Sequence, residues 1–141
     1  MAIRILIMGL PGAGKTTLAN KLTENLSFEK KVSWLNADLV REQYNDWDFS
    51  IEGRIRQSIR MRNLADSSDA DYVICDFVAP LIEMRDNFSA DWTIWLDTID
   101  KSRFEDTNKA FIAPVIYNFR ISEKDAIKWS KIIADSIRKR Y

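Results

Sequence analysis

Three of the chain's four glycines lie in one short segment, Gly9-Leu-Pro-Gly-Ala-Gly-Lys-Thr16, directly after the apolar run from Ile3 to Met8. The segment fits the pattern G-x-x-x-x-G-K-[ST], in which glycines let backbone N–H groups turn toward an anion with no Cβ in the way. The pattern binds phosphate when a strand precedes it and a helix follows it. The sequence therefore predicts a strand, a phosphate-binding loop and a helix from about Lys15 to Leu26.

The residues of this loop point to a nucleoside triphosphate as the ligand. Lys15 supplies a positive charge for the β and γ phosphates, and the Thr16 hydroxyl can ligate Mg²⁺. We therefore expect ATP and Mg²⁺ as cofactors. The expected nucleotide contacts run along the whole loop into the first helical turn: Gly9, Leu10, Pro11, Gly12, Ala13, Gly14, Lys15, Thr16 and Thr17.

Length and composition favour one folded domain over residues 1–141, with 46% hydrophobic and 30% charged residues. The 21 Lys and Arg residues balance 21 Asp and Glu residues, so no overall positive field attracts extended nucleic acid. Cys75 is the only cysteine, which excludes an intrachain disulfide, and it lies in an apolar run where a buried thiol is expected. We expect a cytoplasmic protein that binds small-molecule nucleotides and no membrane. The chain has five tryptophans, a residue type enriched at protein interfaces, so a homodimer is possible.

Five short apolar runs alternate with segments of helical length, and each run is rich in β-branched or aromatic residues, as buried parallel strands are. The alternation predicts an α/β fold of the P-loop NTPase class, in which helices flank a five-stranded parallel sheet and ligands bind beyond the carboxyl ends of the strands. The predicted strands are residues 3–8, Val32 to Leu35, Tyr72 to Cys75, Thr93 to Leu96 and Tyr117 to Ile121.

Two helical segments show an apolar period. Ile51, Ile55 and Ile59 recur every four residues, and we expect their side of the helix to face the core. Arg54, Gln57 and Met61 share a different face of that helix, so Arg54 and Gln57 can reach a common ligand. The last helix is expected to begin at a capping box over Ser122-Glu-Lys-Asp125. Its predicted inward residues are Ile127, Trp129, Ile132, Ile133 and Ile137.

Carboxylates follow three of the predicted strands. Phosphoryl transfer to a hydroxyl needs positioning, Mg²⁺ and a carboxylate that takes the proton. Asp38 is a candidate for that base or for a magnesium-side ligand, and it can also cap the following helix. Asp76 ends the third strand and is either a holder of magnesium-bound water or a turn residue. For Asp97, after the fourth strand, a structural role is favoured.

Beyond the loop, the chain resembles the adenylylsulfate kinase family of P-loop kinases. Five family motifs find matching segments here: L-D-G-D-N-V-R, N-x-D-L-G-F-S, D-R-x-x-N, F-I-S-P-Y-R-x-D-R-D and V-D-T-P-L. The matching segments are Leu35 to Arg41, Asn45 to Ser50, Gly53 to Gln57, Phe77 to Asp86 and Leu96 to Ile99. The resemblance implies a cytoplasmic enzyme of sulfate assimilation, which transfers the γ-phosphate of ATP to the 3′-hydroxyl of adenosine 5′-phosphosulfate.

The resemblance also implies roles for individual residues. It makes Asp38 the acceptor-side acid/base. With Lys15 from the loop pattern, Asp38 completes the predicted catalytic pair, and the loop pattern and the end of the third strand give Thr16 and Asp76 as the metal-side residues. Phe49 would stack on the acceptor's adenine. Residues 100–116 occupy the position of a mobile lid, where Lys109 would neutralise transition-state charge. The full substrate-binding set is Arg41, Phe49, Arg54, Gln57, Phe77, Val78 and Lys109.

The chain departs from the family at several positions. Asn36 replaces the first aspartate of D-G-D and removes a charge near the metal, Ala79 replaces the serine of F-I-S-P, and the lid motif is shortened. A P-loop kinase for another small-molecule or polynucleotide hydroxyl is therefore an alternative. A nucleotide-dependent switch is a third function, although no N-K-x-D motif is present. For Arg56 and Arg60 a solvated basic face is favoured.

Overall fold

The computed structural model describes residues Met1–Tyr141. Five strands form one sheet: β1 (Ile3–Met8), β2 (Val32–Asn36), β3 (Tyr72–Asp76), β4 (Trp92–Leu96) and β5 (Phe119–Ile121). Their order in the sheet is β2-β3-β1-β4-β5, and every neighbouring pair is parallel. The predicted α/β class with a five-stranded parallel sheet is confirmed.

The strands have bounds that differ from the predicted ones by up to two residues, and two of them end in a polar residue. β1 has the predicted bounds, whereas β2 and β3 each continue one residue further, to Asn36 and Asp76. These two residues are register partners in the ladder, so pairing with the neighbouring strand continues past the apolar run. β4 begins one residue earlier, at Trp92, and β5 begins at Phe119, two residues after the predicted Tyr117. The extension places Asn36 beside Asp76 at the carboxyl edge of the sheet.

Six helices cover the two faces of the sheet: α1 (Lys15–Leu26), α2 (Ala37–Tyr44), α3 (Ile51–Asp66), α4 (Ile82–Phe88), α5 (Glu105–Ala110) and α6 (Ala126–Arg140). The predicted bounds of α1 are confirmed. Helices α1 and α6 enclose one apolar core with the sheet, and α2, α3 and α4 enclose a second core on the opposite face. None of the six is both long enough and apolar enough to cross a bilayer.

Helix α3 does not bury the predicted face. Ile51 is 65% exposed and Ile59 is 46% exposed. The face toward the protein is mainly small or polar and consists of Gly53, Arg54, Gln57, Ser58, Met61 and Ala65. A Cβ on Gly53 would lie only 2.2 Å from the Asp48 carbonyl oxygen, so the helix approaches the preceding loop closely. The predicted core role of Ile51 and Ile59 is therefore wrong.

Helix α6 also differs from its predicted start and packing. Asp125 is the N-cap, because its side chain accepts a hydrogen bond from the Lys128 backbone N–H at 3.1 Å, so the predicted capping box at Ser122 is wrong. Ile133 and Ile137 are buried as predicted, whereas Ile127 and Ile132 are exposed. The helix packs through small residues as well as isoleucines, since Ser130 and Ala134 complete its buried face.

Two side-chain truncations in α3 test which face of the helix is buried. Met61→Ala removes a fully buried side chain, and we expect the free energy of unfolding to fall by about 2 to 5 kcal/mol. Ile51→Ala removes a mostly exposed one, and the expected loss is below about 1 kcal/mol. Urea unfolding of both variants measures the difference. Similar losses in the two variants would contradict the packing described for α3.

Candidate active site

The loop after β1 requires glycine at two positions for different reasons. A Cβ on Gly9 would lie 2.6 Å from the Leu96 carbonyl oxygen, so a side chain there collides with the end of β4. Gly14 has φ of 103°, a conformation that L side chains rarely adopt, and it precedes α1 without any side-chain cap. The first N–H groups of α1 are therefore available to an anion, as they are at the phosphate sites of other helix N-termini.

Lys15 lies across the loop that precedes it. Its ammonium donates a hydrogen bond to the Leu10 carbonyl oxygen at 3.0 Å. Burial lowers the pKa of Lys15 to about 8, although the negative charges of Asp76 and Asp38 act in the opposite direction. Lys15 therefore lies at the sheet edge where β3 ends in Asp76 and β2 leads into the helix that carries Asp38.

Asp76 is the buried centre of a polar network at the ends of three elements. Its carboxylate accepts hydrogen bonds from the Trp34 indole N–H at 2.9 Å and from the Thr16 hydroxyl at 3.2 Å. The Asn36 amide donates to both carboxylate oxygens, at 3.3 and 3.1 Å. Burial raises the pKa of Asp76, and the hydrogen bonds from Trp34 and Thr16 oppose this rise. Asp76 is thus tied to the first turn of α1 and to the end of β2.

The oxygen donors at this network suit Mg²⁺. The Thr16 hydroxyl and the Asp76 carboxylate are hard oxygen ligands within 3.2 Å of each other at the phosphate-binding loop. No group of three or more His, Cys, Asp or Glu side chains that could hold a metal occurs in the chain. A magnesium ion at this place would take its other ligands from phosphate oxygens and water, as Mg²⁺ does in nucleotide sites.

Asp38 lies in the first turn of α2, where its carboxylate is exposed. The cap of this helix is Asn36, whose side-chain oxygen accepts a hydrogen bond from the Leu39 N–H at 3.1 Å. The expected capping role of Asp38 is therefore wrong, because the helix begins two residues earlier than that role requires. Its carboxylate is left without a structural partner at the same sheet edge as Lys15.

Two buried arginines converge on the ring of Phe49. The Arg41 guanidinium lies 4.3 Å from the ring centroid and that of Arg54 lies 5.4 Å away. Arg41, only 4% exposed, donates to the backbone carbonyls of Asp46 and Asp48 at 2.9 and 3.2 Å. Three of the predicted acceptor residues therefore form one cluster, in which the ring remains half-exposed.

Arg54 also connects this cluster to the predicted lid. Its guanidinium donates to the Phe49 carbonyl oxygen at 2.9 Å and to the Thr107 hydroxyl at 3.1 Å. It lies 3.6 Å from the Asp106 carboxylate as well. Thr107 and Asp106 belong to α5, the short helix within residues 100–116. The Phe49 cluster and α5 are thus joined through one buried side chain.

Gln57 and its arginine neighbours hold α2 and the loop that follows it. The Gln57 amide is buried, donates to the Ala37 carbonyl at 3.1 Å and accepts from Arg60 at 2.8 Å, so both of its polar ends have protein partners. Arg56 and Arg60 pair with the Asp46 carboxylate at 2.8 and 2.9 Å. Arg56 is exposed, as a solvated face predicts, whereas the Arg60 side chain is only 15% exposed, so the expectation is wrong for Arg60. Both arginines hold the loop that carries Phe49.

The remaining predicted substrate residues differ in their exposure. The Phe77 ring is buried in the core, 5.5 Å from the ring of Phe88, and Val78 is half-buried. Lys109 is exposed on α5. Arg85 anchors the end of the lid, because its guanidinium donates to the Ala79 carbonyl at 2.9 Å and also to that of Ile112. Only the backbone of Phe77 is therefore available to a ligand.

Two further expectations are confirmed. Cys75 is free and fully buried, and burial raises its thiol pKa, so the thiol is unreactive. Asp97 has a structural role, since its carboxylate pairs with Arg120 at 2.6 Å and its backbone N–H donates to the Ile121 carbonyl at 2.8 Å.

One part of the site was missed by sequence reasoning. The segment between β5 and α6 lies beside the phosphate-binding loop, where the Lys124 ammonium donates to the Gly12 carbonyl at 2.9 Å. A cavity of about 130 Å³ lies between this segment and the start of α1, and Glu123, Lys124 and Trp129 are among its lining residues. The available signal was the position of this segment directly after a parallel strand, since such segments lie at the ligand edge.

Comparison with known proteins places this geometry in a family. Residues 1–94 match the family model of adenylylsulphate kinase. The fold is similar to that of the Mycobacterium tuberculosis APS kinase in complex with AMPPNP and APS, with a TM-score of 0.79, 17% identity, and coverage of 97% of this chain and 98% of that chain. No curated protein sequence matches the chain.

Other P-loop kinases share the fold. The shikimate kinase of Acinetobacter baumannii in complex with shikimate has a TM-score of 0.69 and 16% identity, with 99% of this chain and 95% of that chain covered. A gluconokinase from Sinorhizobium meliloti 1021 has a TM-score of 0.64 and 12% identity, with 98% and 97% covered. At these identities the likeness shows the fold alone.

The link between Arg54 and α5 predicts how the lid responds to loss of one hydroxyl. Thr107→Val leaves the buried Arg54 guanidinium without that acceptor, and we expect the free energy of unfolding to fall by about 1 to 3 kcal/mol. Amide hydrogen exchange in α5 should become faster at the same time. Thr107→Ser keeps the hydroxyl and is the matched control. Wild-type exchange rates in the valine variant would contradict the proposed link.

Proposed function

Because the chain belongs to the adenylylsulphate kinase family of P-loop kinases, we propose that it transfers the γ-phosphate of ATP to the 3′-hydroxyl of adenosine 5′-phosphosulfate. The products are 3′-phosphoadenosine 5′-phosphosulfate and ADP. The observation that carries this proposal is that Lys15 and Asp38 both lie at the carboxyl edge of the sheet, in the first turns of the helices that follow β1 and β2. Phosphoryl transfer needs positive charge at the donor phosphates and a carboxylate that accepts the proton of the attacking hydroxyl.

On the donor side, the loop from Gly9 to Thr17 binds the phosphates through its backbone N–H groups, and Lys15 offsets their charge. Thr16 and Asp76 would hold Mg²⁺, which neutralises charge on the phosphates when it is bound. The cavity beside Lys124 lies next to the loop and is the place proposed for the adenine of ATP. Its apolar and polar lining suits a flat aromatic base.

On the acceptor side, Asp38 takes the proton of the attacking hydroxyl, since its carboxylate is exposed in the first turn of α2, at the carboxyl edge of the sheet. Arg41 and Arg54 would bind the anionic part of the acceptor, because each is buried and hydrogen-bonded chiefly to neutral oxygens. Phe49 would stack on the adenine once Arg41 moves from its ring.

Three further residues complete the proposed acceptor site. Gln57 acts through α2, to which its amide is bonded, and so holds Asp38 in place. Phe77 and Val78 contribute backbone groups at the end of β3. Lys109 supplies positive charge when the lid lies over the phosphates. A cytoplasmic location and a role in sulfate assimilation are part of the same proposal.

A kinase for a different small-molecule hydroxyl is the second candidate. Two observations favour it. The Arg41 guanidinium lies over the Phe49 ring, and both polar ends of the Gln57 amide are hydrogen-bonded to protein groups. With Arg41 over its ring, Phe49 offers less surface on which an adenine could stack, and the Gln57 amide has no free polar end to bind one. A polynucleotide acceptor is less compatible with the equal numbers of basic and acidic residues.

Transfer of radiolabelled γ-phosphate across a panel of acceptors tests this proposal. We expect label on adenosine 5′-phosphosulfate and little on shikimate, gluconate or a 5′-hydroxyl oligonucleotide. Preferential labelling of another acceptor would favour the second candidate. Hydrolysis of ATP without any labelled acceptor would contradict both.

Two substitutions test the assigned roles in the same assay. Lys15→Ala and Asp38→Asn should each lower turnover by about 10²-fold or more, the loss typical for removal of a positioned catalytic group. Asp135→Asn, at an exposed position on α6, is the matched control and should keep wild-type turnover. Near-normal turnover of the Asp38→Asn variant would show that another group takes the proton.

A further inference from the structure

Asn36 lies at a junction of three elements, β3, α1 and α2. The roles described for the phosphate-binding loop and for the residues around Phe49 do not account for its contacts there. Its amide nitrogen lies 3.3 and 3.1 Å from the two oxygens of Asp76 and 3.4 Å from the Thr16 hydroxyl. Its amide oxygen accepts from the Leu39 N–H at 3.1 Å and thereby begins α2. One side chain therefore contacts the metal-side carboxylate, the first turn of α1 and the helix that carries Asp38.

Only an amide satisfies both ends of this junction. The end toward α2 must accept a hydrogen bond, whereas the end toward Asp76 must donate one, because a carboxylate oxygen is an acceptor. Aspartate could cap α2 equally well, but it would place a second carboxylate oxygen about 3.1 Å from the first. Two carboxylates at that separation cannot both stay ionised without a cation between them.

The rest of the network supports a single negative charge at this place. Asp76 is only 2% exposed, and its oxygens already accept from Trp34, Thr16 and Asn36. These neutral donors stabilise the buried carboxylate in the absence of a metal ion. The chain contains no cluster of three or more ligating side chains that would retain a metal without other ligands.

We propose that Asn36 is a positioning residue that ties Asp76 to helix α2 and limits the metal side of the site to one carboxylate, which leaves the nucleotide-free protein with low affinity for Mg²⁺. The inference rests on the proposed kinase function, because it concerns the same metal and the same Asp38-bearing helix. It assigns to Asn36 two consequences that differ in their measurable effects: low affinity for free Mg²⁺, and a fixed distance between Asp76 and α2.

Thermal unfolding of the nucleotide-free full chain, with and without Mg²⁺ at constant ionic strength, tests the first consequence. We expect the wild-type Tm to change by less than about 1 °C on addition of Mg²⁺, because no nucleotide is present to supply ligands. Asn36→Asp should unfold at a lower temperature than wild type without Mg²⁺ and should gain about 3 °C or more with it. Asn25→Asp is the matched control, since Asn25 is also half-buried and donates to a hydroxyl, that of Ser130 at 2.8 Å.

The indole N–H resonance of Trp34 reports the same site by NMR, because this group donates directly to Asp76. In Asn36→Asp the resonance should move when Mg²⁺ is added without nucleotide, and in wild type it should stay. Asn36→Ser tests the second consequence and does not depend on whether the aspartate variant folds. Serine can still cap α2 but is too short to reach Asp76, so the Trp34 resonance should move while amide exchange in α2 stays at the wild-type rate.

Three results would overturn the proposal. The first is a rise in wild-type Tm with free Mg²⁺ that equals the rise in Asn36→Asp. The second is a response of Asn36→Asp to Mg²⁺ no larger than that of Asn25→Asp. The third is an unmoved Trp34 resonance in Asn36→Ser. No acceptor and no ATP enter these measurements, so their failure is distinct from failure of the proposed kinase reaction.

Discussion

The arrangement of the site depends on the hydrogen bonds that the buried carboxylate of Asp76 accepts. Asp76 ends β3, the strand between β1 and β2, and therefore lies between the helices that follow those two strands. Hydrogen bonds from Thr16 and Asn36 reach it from either side, and the Trp34 indole reaches it from β2. Because a buried carboxylate is costly without such hydrogen-bond donors, the network fixes the first turn of α1 and the end of β2 relative to each other.

Polar contacts also hold the loop between α2 and α3, which carries Phe49. Asp46 accepts from Arg56 and Arg60, and these hydrogen bonds lower the pKa of its carboxyl group. The loop that Asp46 begins also supplies the backbone carbonyls bound by Arg41. A loop held by charged groups in this way can reorganise around an anion, because an incoming phosphate or sulfate offers the arginines oxygens that carry more charge than a peptide carbonyl.

Local patterns were sufficient for the phosphate-binding loop, the element order and the sheet class, because glycine spacing and short apolar runs act within a few residues. The buried face of α3 was not predictable from its period, since periodicity separates two faces without saying which one meets the sheet. The buried face is held by long-range partners, such as the Thr107 hydroxyl that lies 53 residues from Arg54. The contact of Lys124 with Gly12 could not be predicted for the same reason, since the two residues are 112 positions apart in the sequence. The capping role of Asn36 was missed because β2 continues past its apolar run.

Phosphorus NMR of wild-type protein with Mg²⁺, ATP and adenosine 5′-phosphosulfate follows every phosphoryl group in the mixture at once. If the two halves of the site act together, the γ resonance of ATP falls while the ADP resonances and a new phosphomonoester resonance rise in equal amounts. The new resonance should belong to the 3′-position of the acceptor. Inorganic phosphate in place of the phosphomonoester, or a γ resonance that does not change, would contradict phosphoryl transfer between these two halves.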